Sequence, residues 1–122
     1  MRKAVIGIAC ALAFAAGVQA QDVARGKTLY DSRCVACHSV DDNRVGPAHK
    51  GVFGRKAGSV TDYDYSDALK KSKVVWNEKL LDTWLTGPEQ FIPGQKMGFS
   101  VQEVQDRRDL IAYWRLVSES KK

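Results

Sequence analysis

"CVACHSV", residues 34–40, decides how the rest of the chain is read. Two cysteines lie three apart, and a histidine follows the second directly. Cys-x-x-Cys alone fits a redox dithiol, half of a zinc site or a disulfide. A redox dithiol belongs in a strand–helix context, and its mechanism has no use for a histidine at this place. Here the motif falls late in a predicted helix of a chain that reads as all-α. Zinc requires four N, S or O ligands. Cys34, Cys37, His38 and His49 supply the count but not the spacing, because His38 abuts Cys37 and His49 lies beyond a Gly-Pro turn. Cys-x-x-Cys-His is the attachment pattern of c-type haem. Residues three and four apart share a helix face. Cys34 and Cys37 therefore reach one edge of a porphyrin, and His38, one turn after Cys34, reaches its iron.

A five-residue pattern needs support from the rest of the chain. Apart from Met1 the sequence holds one methionine, Met97, in "PGQKMGF" at residues 93–99. Most methionines fill gaps in a core. No apolar periodicity surrounds this one, and a Pro-Gly loop is a poor place for a core residue. Met97 is expected to be the sixth iron ligand opposite His38. A His–Met pair is the ligand set that raises the potential of an electron-carrying haem.

The termini and composition set the frame. Residues 1–20 begin with Arg2 and Lys3, continue with the apolar run "AVIGIACALAFAAGV" and end in "VQA". That is the pattern of a cleaved secretory signal, and the run is short for a retained spanning helix, which needs about 20 residues. Cleavage after Ala20 would leave a single domain at 21–122 and place it in the periplasm. Cys10 departs with the leader and lacks the upstream leucine of a lipoprotein signal. The remaining 17 basic and 14 acidic residues give a mild net charge of +3, with no dense basic run of the kind that binds nucleic acid. No later segment is apolar enough to span a membrane. So small a domain has a limited core, which an embedded cofactor would supplement.

Four helices are predicted. The first covers residues 22–38, with Asp22 as its cap. A short one follows Ser66 in "SDALKKS". A third, "NEKLLDTWLTGP", starts at Asn77, carries Leu80, Leu81, Trp84 and Leu85 on one stripe and stops at Gly87-Pro88. The last opens on a capping box of Ser100 and Glu103 and buries Leu110, Tyr113, Trp114 and Val117. The glycine-rich stretch at residues 41–65 lacks periodicity, which marks a loop wrapped around something.

In order along the chain, "GKTLYDSRCVACHSV", "GPAHKGVFGRKAGS", "YDYSDALK", "VVWNEKLLDTWL", "FIPGQKMGF" and "RRDLIAYW" resemble the class I cytochromes c, the mitochondrial cytochrome c and bacterial cytochrome c2 group. The resemblance covers nearly all of residues 21–122. It implies an all-α cytochrome c fold, helices and long loops around one covalent haem c. It implies that the Pro47 carbonyl accepts the ring proton of His38. It also implies that Arg55, Tyr65, Ser66 and Trp76 lie near the haem propionates, where buried carboxylates need donors; core packing is the other role open to Tyr65 and Trp76. Gly26, Tyr30, Leu110 and Tyr113 match the crossing of first and last helices. The departures are Trp84 where a tyrosine is common, Leu69 for an asparagine, Gln95 for a threonine and His49 for a leucine. His49 is expected to be a packed or surface residue and not a ligand. Near the haem edge Lys27, Arg33 and Lys96 remain basic, but Glu89 and Gln90 weaken the usual ring of lysines.

The functional expectation is a monomeric periplasmic electron carrier and not an enzyme. It would meet redox proteins briefly at the haem edge. A dedicated haem subunit of a periplasmic dehydrogenase would carry the same site. A gas-binding or peroxidatic haem would need an open iron position, which Met97 argues against.

Overall fold

The computed structural model describes Leu12 and residues 19–120. The leader expected at residues 1–20 falls almost entirely outside them. Five helices occur among the described residues: α1 (Val23–Arg33), α2 (Asp67–Lys71), α3 (Glu78–Thr86), α4 (Pro88–Phe91) and α5 (Val104–Glu119). The only pairing of extended backbone among those residues is an isolated bridge between Lys56 and Val75.

α1 crosses α5, and the crossing is close because position 26 is glycine. A Cβ on Gly26 would lie 1.9 Å from the Asp109 carbonyl oxygen. Tyr30, Leu110 and Tyr113 are buried at this contact, as the resemblance implied. Polar groups lock it. Asp22 caps α1 by accepting from the Arg25 N–H at 2.9 Å, and its own N–H donates to Asp109 at 2.8 Å. Arg25 pairs with Asp106 and with Asp109. Arg33 pairs with Asp106 at 2.8 Å. Asp106 and Asp109 are buried, and burial alone would raise their pKa values. Hydrogen bonds from Arg25 and Arg33 to Asp106, and from the Asp22 N–H, Arg25 and Gln105 to Asp109, outweigh it and hold both below the ordinary range.

Two predicted helix boundaries are corrected. α1 ends at Arg33, not His38. The Cys34 N–H still donates to Tyr30 at 2.9 Å, but the next turn is separate: Cys37 and His38 both donate to the Cys34 carbonyl, at 3.1 and 2.8 Å. The three- and four-residue relation among Cys34, Cys37 and His38 therefore survives outside the helix. α5 starts at Val104, and Glu103 stands at its N-cap without a side-chain bond. The Ser100–Glu103 box does not form, and the backbone of residues 101–102 is engaged elsewhere. Val101 donates to Leu85 at 2.7 Å, and Arg107 donates to the carbonyls of Val101 and Gln102 at 3.0 and 2.8 Å. Asn77 caps α3, accepting from Leu80 at 2.9 Å. Gly87 ends α3 as expected, but Pro88 opens α4, where a proline's missing N–H costs nothing.

The long loop is fastened to the segment after α2. Gly54 donates to Trp76 at 2.7 Å, Trp76 to Arg55 at 2.9 Å and Ala57 to Val74 at 2.8 Å. This brings Arg55 and Trp76, far apart in sequence, to one wall.

Candidate functional site

The loops and helices surround a cavity of about 520 Å³, within the usual range for cofactor sites. Cys34, Cys37, His38, Pro47, Arg55, Tyr65, Ser66, Trp76 and Met97 all line it. Every site residue expected from the sequence is thus gathered on one space, from five separate stretches of chain. A wider cleft of about 840 Å³ lies on the other side of the Met97 loop. Its lining holds no cysteine or histidine, so the chemistry belongs to the first.

His38 is buried, and its Nδ1 lies 2.8 Å from the Pro47 carbonyl oxygen. A carbonyl only accepts, so Nδ1 carries the proton and Nε2 keeps its lone pair. Burial lowers the His38 pKa and the Pro47 bond offsets only part of that. The lowered pKa favours the neutral ring that metal binding requires. Gly46 makes its seat possible, since a Cβ there would lie 2.1 Å from the ring.

The two cysteines form no disulfide. Burial pushes the Cys34 thiol up to about 11. Redox-active dithiols have lowered thiol pKa values, so the environment disfavours that chemistry.

The opposite needs of a flat, partly acidic group are met on the other walls. Leu69, Leu81, Trp84 and Leu85 supply apolar surface. Arg55 supplies charge. Its Nη1 donates to the Lys50 carbonyl at 2.9 Å, but its buried Nε has no partner among the described residues. Burial lowers the Arg55 pKa. A partly buried guanidinium with an unpartnered Nε and no counter-ion is costly, and a carboxylate in the cavity would relieve that cost. Tyr65 lies beside it and accepts from the Val60 N–H at 3.1 Å. Ser66 caps α2 by accepting from Leu69 at 3.1 Å. The residues present therefore fit a haem.

Met97 is half-buried on a loop that folds on itself. Glu89 accepts from the Gly94 N–H at 3.0 Å and from Gln95 at 3.2 Å, and Gln95 accepts from the Met97 N–H. The Gln95 amide is thus spent on its own loop. Trp84 packs edge-on against Trp76, with ring centroids 5.5 Å apart. Leu69, buried on the same cavity, adds apolar surface to this lining.

Sequence reasoning missed three supports. Tyr63 lines the cavity and donates to the Val45 carbonyl at 2.6 Å; its pairing with Tyr65 was visible only as an alternation in "YDY". Arg107 ties the exit of the Met97 loop to α3 and α5, and its only signal was a basic residue on an apolar face. His49 is packed, as one of its two expected positions, but its stacking on the His38 ring with centroids 4.1 Å apart had no signal in the sequence.

The chain matches the cytochrome c family profile over residues 23–117. It is 44% identical to a cytochrome c of Gibberella zeae over 96 residues, which covers 75% of this chain and 91% of that one. It is 40% identical to the cytochrome c2 of Blastochloris viridis, covering 93% and 91% of the two chains. Among solved structures it is similar to cytochrome cH from Methylobacterium extorquens, with a TM-score of 0.74 and 41% identity over 78% of this chain and 98% of that one. The helical fold, the cavity and these relatives lead to one conclusion: the chain belongs to the cytochrome c family, an electron-transfer protein with one haem c attached covalently at its Cys34-x-x-Cys37-His38 motif.

Proposed function

We propose that this protein is an exported, periplasmic one-electron carrier whose haem iron is held by His38 and Met97. The observation that carries the reading is the gathering of His38, with Nδ1 bonded to Pro47 and Nε2 left available, and Met97 on one cavity. The haem supplies reversible exchange of one electron between ferrous and ferric iron. The protein's residues do the rest. Cys34 and Cys37 hold the group, and Pro47 fixes the His38 tautomer and raises its donor strength. Leu69, Leu81, Trp84 and Leu85 exclude water. Arg55, Tyr65, Ser66 and Trp76 form the polar side that would receive the propionates. Two protein ligands leave no open iron position, so the reading is a carrier and not an oxygen- or peroxide-handling enzyme.

Export is supported by the leader pattern at residues 1–20 and by the Blastochloris viridis match. That match covers 93% of this chain, more than residues 21–122 alone can supply. Among the described residues no helix is long and apolar enough to cross a membrane.

The partners are other redox proteins, met transiently by a monomer. The basic residues expected near the haem edge are already paired: Lys27 with Asp31 at 2.5 Å, Arg33 with Asp106 at 2.8 Å and Lys96 with Asp64 at 3.8 Å. Exposed Val45 and Phe99 border the cavity instead. Docking therefore depends more on apolar contact than on charge steering, and association rates with an acidic redox partner should fall only weakly with salt. Met97→Ala tests the ligation. It should leave the haem attached while lowering the midpoint potential and opening the iron to cyanide. A potential and cyanide affinity equal to wild type would remove Met97 from the iron. Mass spectrometry of periplasmic protein should give a chain starting at Gln21; an intact leader would refute the cleavage.

A further inference from the structure

We propose that His49 is a positioning residue for His38: it holds the plane of the His38 ring by stacking, and Tyr30 holds His49 in turn. The inference rests on the reading of His38 as an iron ligand.

The His38–Pro47 hydrogen bond fixes where the ring proton points. A ring tied at one nitrogen can still tilt about that bond. The His49 ring lies against it with centroids 4.1 Å apart and planes 20° from parallel. Tilting His38 would drive one edge into that flat surface, so stacking removes the freedom the hydrogen bond leaves.

His49 can act as a reference only if it is fixed itself. Its Nδ1 lies 2.9 Å from the Tyr30 hydroxyl. Trp114 packs on it with centroids 4.9 Å apart and planes at 48°. Its backbone N–H donates to Ser39 at 3.0 Å, and its carbonyl accepts from Val52 at 2.9 Å. Tyr30 is in turn buried against Tyr113, at 5.3 Å. Each ring is held by at least two contacts.

The residue choice supports the assignment. An aliphatic side chain would fill this buried place without bringing in polar atoms. An imidazole and a phenol here cost free energy unless they satisfy each other. Once paired, they allow one orientation where an aliphatic group allows several. The pair contributes orientation more than stability, and it does so in contact with the candidate ligand. In a ferric low-spin haem with histidine and methionine ligands, the plane of the imidazole, together with the orientation of the methionine sulfur, sets how unpaired spin spreads over the porphyrin. That spread is read directly from the order and spacing of the haem methyl resonances.

The experiment is proton NMR of the ferric holoprotein, matured with its haem, for wild type, His49→Leu, His49→Phe and Tyr30→Phe. The ferrous Met97 methyl resonance and the ferric far-red band check that the axial ligands are unchanged. His49→Leu should re-order or compress the haem methyl pattern. Tyr30→Phe should move it in the same direction by less, and His49→Phe, which keeps a flat surface, should stay closer to wild type than the leucine variant. A methyl pattern unchanged in both His49→Leu and Tyr30→Phe, even with lower thermal stability, would overturn the proposal and leave His49 as packing. Should His49→Leu fail to mature, an unchanged pattern in Tyr30→Phe overturns it alone. A wild-type spectrum lacking His–Met low-spin features would overturn both this inference and the ligation it rests on. That failure differs from the first because it appears before any substitution is made.

Discussion

Arg107 offers a direct test of how the Met97 side of the site is held. It is 7% exposed. Its Nε donates to Asp82 at 2.7 Å, and its Nη1 to the carbonyls of Val101 and Gln102 at 3.0 and 2.8 Å. One side chain therefore fastens the exit of the Met97 loop to α3 and α5. Arg107→Met keeps much of the apolar volume and removes all three bonds. The Asp82 carboxylate is 42% exposed and rehydrates, so that bond contributes little. The Val101 carbonyl matters more, because Val101 is buried and an unpartnered buried acceptor costs about 1–3 kcal/mol, whereas Gln102 is exposed and its carbonyl can rehydrate. The expected loss is therefore roughly 1–3 kcal/mol, a sizeable share of a small domain's stability. Urea unfolding of the ferric protein measures it. With a slope of roughly 1–2 kcal/mol per molar, a loss of about 2 kcal/mol lowers the midpoint by roughly 1–2 M. The far-red band of Met ligation should weaken in the variant before the fold is lost, since the freed segment leads to Met97. A midpoint, slope and far-red band equal to wild type would refute the reasoning.

Three further outcomes follow from the same geometry. Asp106 and Asp109 have pKa values held below the unfolded value, so the stability they supply is complete above about pH 4 and lost as pH falls through their folded values; unfolding free energy measured against pH should drop steeply below about pH 4 in wild type and more gently in Asp109→Asn. Gly46→Ala places a Cβ 2.1 Å from the His38 ring, so the haem-to-protein ratio and the low-spin ferric signal should both fall sharply. Arg55→Leu removes a partly buried cation from the cavity lining and favours the more positive ferric state. Its midpoint potential in a redox titration should drop by on the order of 50 mV, about 1 kcal/mol for one electron.

Much of this was legible in the sequence because covalent attachment imposes local spacing. Cys34, Cys37 and His38 are close in the chain, and one turn must present all three. Met97 stood out by being the lone internal methionine in a loop without periodicity. α3 was readable from the Asn77 cap and its stripe. What was not legible lies partly in a local turn and partly in contacts distant along the chain. α1 stops at Arg33 because Cys34–His38 form their own turn beneath the cavity, which no propensity reports. Ser100 and Glu103 spell a capping box, but Leu85 and Arg107 claim the backbone of residues 101–102 first. A packed or surface His49 was expected, but not its partner, because nothing nearby in sequence reveals that Tyr30, nineteen residues earlier, supplies it.

An optical spectrum of the holoprotein is the direct test of a covalent haem held by His38 and Met97. Reduction with dithionite should give a sharp c-type α-band, and the oxidised form should show a weak far-red band that cyanide abolishes. A c-type spectrum without the far-red band would contradict the Met97 ligation. Absence of haem absorbance from protein made in a strain competent for c-type maturation would contradict the account as a whole.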